Sequence, residues 1–390
     1  MHQGKFVLAQ LTSYLVRYEF NKCVERYNGN YKVRTFSCWS QFICMMFGQL
    51  THRESITDII LCLNAHSGSV YHLGIQQVVA VSTLTRANEQ RNWHIYADFA
   101  SYLLGITRPL YANDNDFALE LDNTVYAFDS TTIDLCLSVF FWARFRKTKA
   151  AVKLHTLLDL RGNLPTFIHI TDGKVHDVNA LDELFFEENA FYIMDRAYVD
   201  FCRLFKITQS LSFFVVRAKN NLKFRCVASR TVDKLTGLRC DQTIRLLVKK
   251  SADDYPAYLR RVKFYDKEKQ RMFVFLTNNF KVEPLQIAML YKQRWQVELF
   301  FKWIKQHLRI TSFWGHSKNA VKTQIWIAVC TYLLVAYIKK QLKVEQSLYE
   351  MLQIISVSAF TKVPLNELLT NLSKNNEIKS HCNQLKMFDL

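Results

Sequence analysis

Three acids stand where side chains could hold a divalent cation. Asp129 lies inside an apolar, β-rich run (VYAFDSTTI, 125–133) and is followed by Ser130, Thr131 and Thr132. Asp195 closes a second apolar run (AFYIMD, 190–195). A carboxylate within such a strand is expensive unless it is paired or binds a cation, and sites of α/β sheets gather at strand ends. Taken singly, either aspartate reads as a turn or capping residue. Glu298 shifts that balance. It shares a helical stretch, Pro284 to Leu308, with Tyr291, Arg294, Lys302 and Lys305. At ~100° per residue these groups fall within an arc of roughly 80°. Leu290, Val297, Phe300, Phe301, Ile304 and Leu308 cover another face, suited to packing on a sheet. A plain solvated face with an i,i+4 pair of Glu298 and Lys302 would need neither the Tyr nor the Arg at its position. Carboxylates so arranged suit phosphodiester chemistry, where two cations ~3.5–4 Å apart neutralise the attacking and leaving oxygens. Mg²⁺ keeps several waters, so a few carboxylates suffice.

The elements that must carry these residues are readable in outline. Residues 1 to about 118 look mainly helical. Thr51, Arg53, Glu54 and Ser55 lead into an apolar-periodic run, Ile56 to Leu63. A further helix is expected from Ser82 and Thr83 to Gly105. In it, Arg86, Asn88, Gln90 and Arg91 could reach phosphates or bases as in a helix-turn-helix reader, or form an ordinary solvated face. From Val125 the pattern becomes strand-like. Residues 151–160 and 164–171 form a hairpin around Arg161, Gly162 and Asn163. Helical spacing follows from Asp177 to Phe186, then the strand ending at Asp195, a helix from Tyr198 to Gln209 and a strand over 211–218. This order predicts an α/β fold with helices layered on a sheet. Residues 219 to about 277 are basic and strand-like and read as a β-rich insertion. At least two helices are expected within 318–358. The expected division is a helical, DNA-binding region 1–118, a catalytic domain 119–317 and a helical region 318–390, whose helices after Ser317 could contact a second copy or equally pack within the chain.

The 390 residues carry 51 Lys+Arg against 34 Asp+Glu, a formal charge of +17. That favours a polyanionic partner, nucleic acid first among them. Ten cysteines are scattered without a C-x-x-C pair, which argues against a zinc finger and for a reducing, intracellular setting. The opening MHQGKFVLAQ lacks an apolar signal-peptide core. Ile325 to Ile338 is nearly all apolar but shorter than the ~20 residues that span a bilayer. Lys339 and Lys340 would suit a membrane flank, yet a buried core helix is the better reading. His155, His169 and His176 match no common zinc spacing.

Tyr291-x2-Arg294-x3-Glu298-x6-Lys305 resembles the Y-R-E-K signature of DDE transposases from prokaryotic insertion sequences. Asp129-Ser130-Thr131 looks like the first catalytic block of that family, Asp195-Arg196-Ala197-Tyr198 like the second, and Lys153-x-His155 like its second strand. The long gap between second and third acids is also similar, and in this group it holds a β-rich insertion. One departure is Ala197, where the family often has Gly. The resemblance implies an RNase H-like catalytic core and cut-and-paste transposition. It implies that Asp129, Asp195 and Glu298 bind two Mg²⁺ ions (Mn²⁺ can substitute), which activate water or a DNA 3′-hydroxyl and stabilise the leaving oxygen. In well-understood relatives excision passes through a DNA hairpin. Tyr291, Arg294 and Lys305 are implied to contact phosphates, with Lys302, Arg196 and Lys153 as further candidates. Trp295 and Trp303 could stack on a displaced base, although packing is the commoner fate of such rings. The implied partners are double-stranded DNA (the inverted-repeat ends and the target) and a second copy of the chain, in the cytoplasm at the nucleoid, without a membrane. A silent DNA-binding regulator is the alternative, and the three intact acids argue against it.

Overall fold

The computed structural model of the chain describes residues 4–112, 121, 123–146 and 148–370. They fall into two compact units: a helical one drawn from 1–110 and 303–390, and a sheet-based one, Tyr111–Lys302. Three successive segments were expected. Instead the first and last contribute to one unit, and the division sought at 317 falls at 302/303, inside a helix. The boundary expected at 118 lies outside the described residues, as do Cys382 and the rest of 371–390.

Among the described residues seven helices precede the sheet: α1 Val7–Thr12, α2 Arg17–Arg26, α3 Cys38–Leu50, α4 Ile56–Ala65, α5 Ser67–Val70, α6 Val81–Gln90 and α7 His94–Tyr111. Four accompany or follow it, α8 Phe201–Gln209, α9 Lys249–Asp254, α10 Pro284–Lys292 and α11 Trp295–His307. Two close the described chain, α12 Lys318–Gln341 and α13 Leu348–Ser358. In the helical unit every residue of α3 is buried, as its all-round apolar sequence requires. Its cover is α12, which also packs on α6 and α13. By length and composition α12 could cross a membrane, but 83% of its most apolar stretch is buried inside the protein. Burial therefore accounts for Ile325 to Ile338. The two ends of the unit are tied by backbone bonds, Val7 N–H to the Thr361 carbonyl (3.0 Å) and Leu8 N–H to that of Ala359 (2.9 Å). Ser37, Ser55 and Ser317 cap α3, α4 and α12, and Ser347 with Glu350 forms a capping box on α13.

The helix expected from Ser82 to Gly105 is two helices. The chain leaves α6 at Arg91, and the Asn92 side chain accepts the His94 N–H (3.0 Å) to open α7. Gly105 sits inside α7, which runs on to Tyr111.

Among the described residues ten strands make one sheet: β1 Val125–Leu135, β2 Arg144–Arg146, β3 Lys149–Asp159, β4 Leu164–Asp172, β5 Phe191–Met194, β6 Phe213–Arg217, β7 Phe224–Arg230, β8 Leu238–Leu246, β9 Leu259–Asp266 and β10 Arg271–Thr277. Their order is β2-β3-β1-β5-β6-β10-β9-β8-β7, with β4 also paired to β3. β3 is antiparallel to β1 and β4, whereas β5 is parallel to β1 and β6 to β5. The β3–β4 turn has Gly162 and Asn163 at φ 78° and 54°, the left-handed region that this residue pair tolerates. The stretch 219–277 is β-rich as expected, yet it is no separate sheet. Its last strand, β10, pairs with β6, Phe275 opposite Arg217, and continues the same ladder outward. Asp177–Glu183 is a 3₁₀ turn rather than a full helix.

Alternation along the strands sorts the side chains. Tyr126 and Phe128, with Tyr192, Met194, Phe214, Val216 and Leu276, join one buried cluster completed by Leu204, Ile207 and Tyr255. Val125, Ala127 and Asp129 belong to the opposite face, where α10 packs across β5, β6, β8 and β9.

Candidate active site

Strand register places the two aspartates together. β1 and β5 run parallel, with Val125 beside Phe191 and Phe128 beside Met194. Asp129 and Asp195 are each the next residue. They therefore occupy equivalent positions on neighbouring strands, whose spacing is ~4.8 Å. Phe191 to Met194 are buried, and the short β5 ends where a charge must emerge.

The third acid arrives from the helices laid on that face. The Tyr291 hydroxyl donates to Asp195 Oδ1 at 2.9 Å. Arg294 Nη1 donates to Asp129 Oδ2 at 2.8 Å, and Nη2 to Glu298 Oε1 at 2.5 Å. One guanidinium thus bridges two of the acids, and a phenol anchors the remaining one. The Tyr291 ring lies against Phe275 of β10, 4.7 Å between centroids. The long helix expected from Pro284 to Leu308 is broken between Lys292 and Trp295. Across the break, backbone bonds shorten to an i→i+3 pattern: Arg294 N–H to Tyr291 O, and Val297 N–H to Arg294 O. The side chains converge through this bend rather than along one straight stripe. Glu298 pairs with Arg294, not with Lys302.

Asp129 is only 19% exposed. Burial pushes its carboxyl up to about 6; the Ser130 N–H and Arg294 oppose this, while Glu298 and Asp195 push it further. Burial and the neighbouring Asp195 also raise the Tyr291 phenol, which keeps it a hydrogen-bond donor. Asp129 feels the charge of both Glu298 and Asp195, and carboxylates of this kind suit a hard divalent cation better than a softer metal. Among the described residues no three acid, His or Cys groups are yet drawn around one point; Arg294 stands between Asp129 and Glu298.

The other sequence candidates scatter. Arg196 is exposed on the 3₁₀ turn Arg196–Tyr198 that follows Asp195. That turn contains no positive φ, so Ala197 fits it without glycine's freedom. Lys302 is exposed, one helical turn beyond Glu298 on α11. Lys305 follows on the same helix, past the division at 302/303. Trp295 is 53% exposed, whereas Trp303 packs edge-on against Tyr332, 5.1 Å between centroids. Lys153 pairs across from Thr132 and faces away from Asp129. Its ammonium is held by the Val175 carbonyl (2.9 Å) and Asp177 (3.1 Å). His155 is fully buried beside it, bonded to Thr171 at 2.9 Å and pushed down to about 4 by burial.

Asp177 escapes sequence reasoning, which used it only to open a helix. Its Oδ1 accepts from Ser130 Oγ at 2.8 Å as well as from Lys153. It therefore braces β1 from behind, one residue from Asp129. The nearest sequence signal was an acid and a lysine, 24 positions apart, on opposite sides of a predicted hairpin strand. Asp177→Ala is expected to lower stability by about 1–3 kcal/mol, because Lys153 loses a partner in a largely buried place. Thermal unfolding reads this directly, with Asp177→Asn falling between the two.

The α/β sheet and the helices on it thus link three acids pairwise through one arginine and one tyrosine. Residues 120–334 match the Transposase DDE domain family, and residues 3–76 match a domain of unknown function, DUF4372. The chain is 33% identical over 257 residues to "Putative transposase y4zB" of Sinorhizobium fredii, covering 64% of this chain and 69% of that one. It is 29% identical over 228 residues to "Probable transposase for insertion sequence element IS5377" of Geobacillus stearothermophilus, covering 58% and 59%. It is 25% identical over 266 residues to "Putative transposase for insertion sequence element IS4SA" of Synechocystis, covering 66% and 71%. The chain belongs to the DDE transposase family of insertion sequences, and its function is that of a DNA transposase.

Proposed function

We propose that Asp129, Asp195 and Glu298 are the acids at which this transposase cuts and joins DNA, in a cut-and-paste reaction on an RNase H-like core. The observation that carries the reading is the Arg294 bridge: a side chain that bonds both Asp129 and Glu298 ties the helix-borne acid to the strand-borne pair. The order β4-β3-β1-β5-β6, with β1, β5 and β6 parallel and β3 reversed, supports the RNase H-like assignment.

Asp129, Asp195 and Glu298 would hold Mg²⁺. Such ions supply Lewis acidity and a nucleophile at neutral pH. The protein's own part is placement. β1 and β5 hold two carboxylates side by side, Tyr291 fixes the orientation of Asp195, and Arg294 limits repulsion between Asp129 and Glu298. For both acids to face a cation, the arginine bridge must open on at least one side. The freed guanidinium then suits a bidentate phosphate contact. The exposed Arg196 and Lys302 add positive charge for the DNA backbone, Lys305 is a further phosphate contact by its place in the signature, and the exposed Trp295 offers a face on which a base can stack. The substrates are the inverted-repeat ends of the element and a target duplex, handled by two copies of the chain at the nucleoid in the cytoplasm.

The test is cleavage of a duplex carrying the element's terminal repeat. Purified protein with Mg²⁺ is expected to cut at the end of the repeat and to stop when EDTA is added. Cutting that ignores the repeat would instead indicate a general nuclease, and binding without cutting under Mg²⁺ and Mn²⁺ a regulator.

A further inference from the structure

The helical unit holds a groove that the acid site does not use. It runs between the loop 27–36 and the outer side of α6, with a volume of about 470 Å³. Tyr27, Tyr31, Arg34, Arg86, Gln90 and Asn92 line it, Arg91 forms part of its wall, and no carboxylate does.

The three arginines differ in kind. Arg91 is spent internally, donating to the carbonyl of Ser37 (2.8 Å), to Gln41 Oε1 (3.0 Å) and to the carbonyl of Phe36. Asn88, expected with it as a DNA contact, is likewise internal: it is buried, and its side-chain oxygen accepts from Gln41 at 2.8 Å. Arg34 and Arg86 are exposed, and neither has an ion-pair partner among the described residues. Gln90 is exposed beside them. Tyr31 stands at the rim, 72% exposed, with the Lys32 ammonium 5.2 Å from its ring centre.

The loop is preformed. Gly29 lies so close to its neighbours that a Cβ there would stand 2.5 Å from Ile95 Cδ1 and 2.8 Å from Cys38 Sγ. Asn30 Oδ1 accepts the Cys38 N–H at 2.8 Å. These contacts hold the loop against α3 and α7 and keep the groove open.

Two unneutralised guanidinium groups, phenols and amides around an acid-free groove match the donors that grip phosphate and sugar rather than base edges. We propose that this groove is a phosphate-backbone site for duplex DNA. It gives a binding role to the loop within residues 3–76, which match a domain of unknown function. The proposal rests on the chain being a transposase, but not on the identity of its three acids.

The experiment is a salt titration of binding by the full chain, read as fluorescence anisotropy. One labelled duplex carries the terminal repeat and a second carries a scrambled sequence. Arg34→Ala/Arg86→Ala is expected to weaken binding to both duplexes by roughly ten- to a hundredfold and to lower the slope of log K against log salt by about two. Its melting temperature should match the wild type, since both side chains are exposed. Arg34→Lys/Arg86→Lys should retain most of the slope. Unchanged affinity and slope would overturn the proposal. So would a loss confined to the repeat duplex, which would make the groove a base reader. If the wild type binds but does not cut, the acid assignment fails while the groove still stands.

Discussion

Asp129→Asn is expected to abolish end cleavage and, at neutral pH, to yield a more heat-stable protein. The loss of cleavage should exceed a thousandfold, since metal-assisted stabilisation of both oxygens contributes several kcal/mol. The gain in stability follows from the carboxyl's position. Its pKa stands at about 6 in the folded protein against an ordinary 3.8. Between those values the folded chain keeps a proton that the unfolded chain has released. Folding is therefore favoured at the acid end of the window and loses that advantage as pH rises through about 6. Above it the ionised Asp129 destabilises by up to about 3 kcal/mol, at ~1.4 kcal/mol per unit. Asparagine keeps the shape and an acceptor for Arg294 but never ionises. The melting temperature of the variant should exceed the wild type's by several degrees at pH 7.5, with the gap closing towards pH 4. A variant less stable than wild type at pH 7.5, or a gap that ignores pH, would show that Asp129 is not held against its ionisation.

Arg294→Met should act in the opposite direction and be rescued by divalent cations. Without the guanidinium, Asp129 and Glu298 face each other with neither bridge. Breaking a buried pair in this way costs about 3–5 kcal/mol; Glu298 is the more exposed of the two acids, at 34%, so the lower end applies. Mg²⁺ that binds only the folded form should restore stability as RT ln(1 + [Mg²⁺]/Kd). The shift in melting temperature with added Mg²⁺ should be larger in Arg294→Met than in the wild type, because no arginine bridge has to open. Arg294→Lys should recover part of the stability, a single ammonium being unable to span both acids as the planar fork does. If the variant's melting temperature ignores both Mg²⁺ and Mn²⁺, the acids do not form a cation site.

The strand-borne half of the candidate site is legible because its signal is local. An aspartate within or just after an apolar strand stands out against its neighbours, and two such strands running parallel bring like positions together. The helix-borne half was legible in its residues but not in its geometry. Nothing between Lys292 and Trp295 marks a break: there is no proline or glycine, and the bend shows only in the shortened backbone bonds around Arg294. Arg294 itself was read as a phosphate contact, since no sequence pattern shows that Asp129, 165 positions away, would reach it. Asp177 was missed for the same reason, its partners lying on strands that only the sheet assembles. Asn88 shares α6 with Arg86 and Gln90 and Arg91 follows at its end, and only the bonds of Asn88 and Arg91 to α3 and the loop before it separate the internal pair from the exposed one. The single sheet hid in 219–277 because strand content is local, whereas the pairing of β10 with β6 is not.

The helical unit has a temporal side. α3 leaves the ribosome early, yet the helix that covers it, α12, begins at Lys318. Long-range closure of this kind is slow and leaves apolar surface uncovered meanwhile. All three acids lie before that point. A chain stopped by a nonsense codon or a frameshift ahead of Lys318 would thus carry the acid residues but strand α3 without its partner, a form marked for aggregation or proteolysis. Because one unit draws on both ends of the chain, its folding waits for synthesis to pass Lys318.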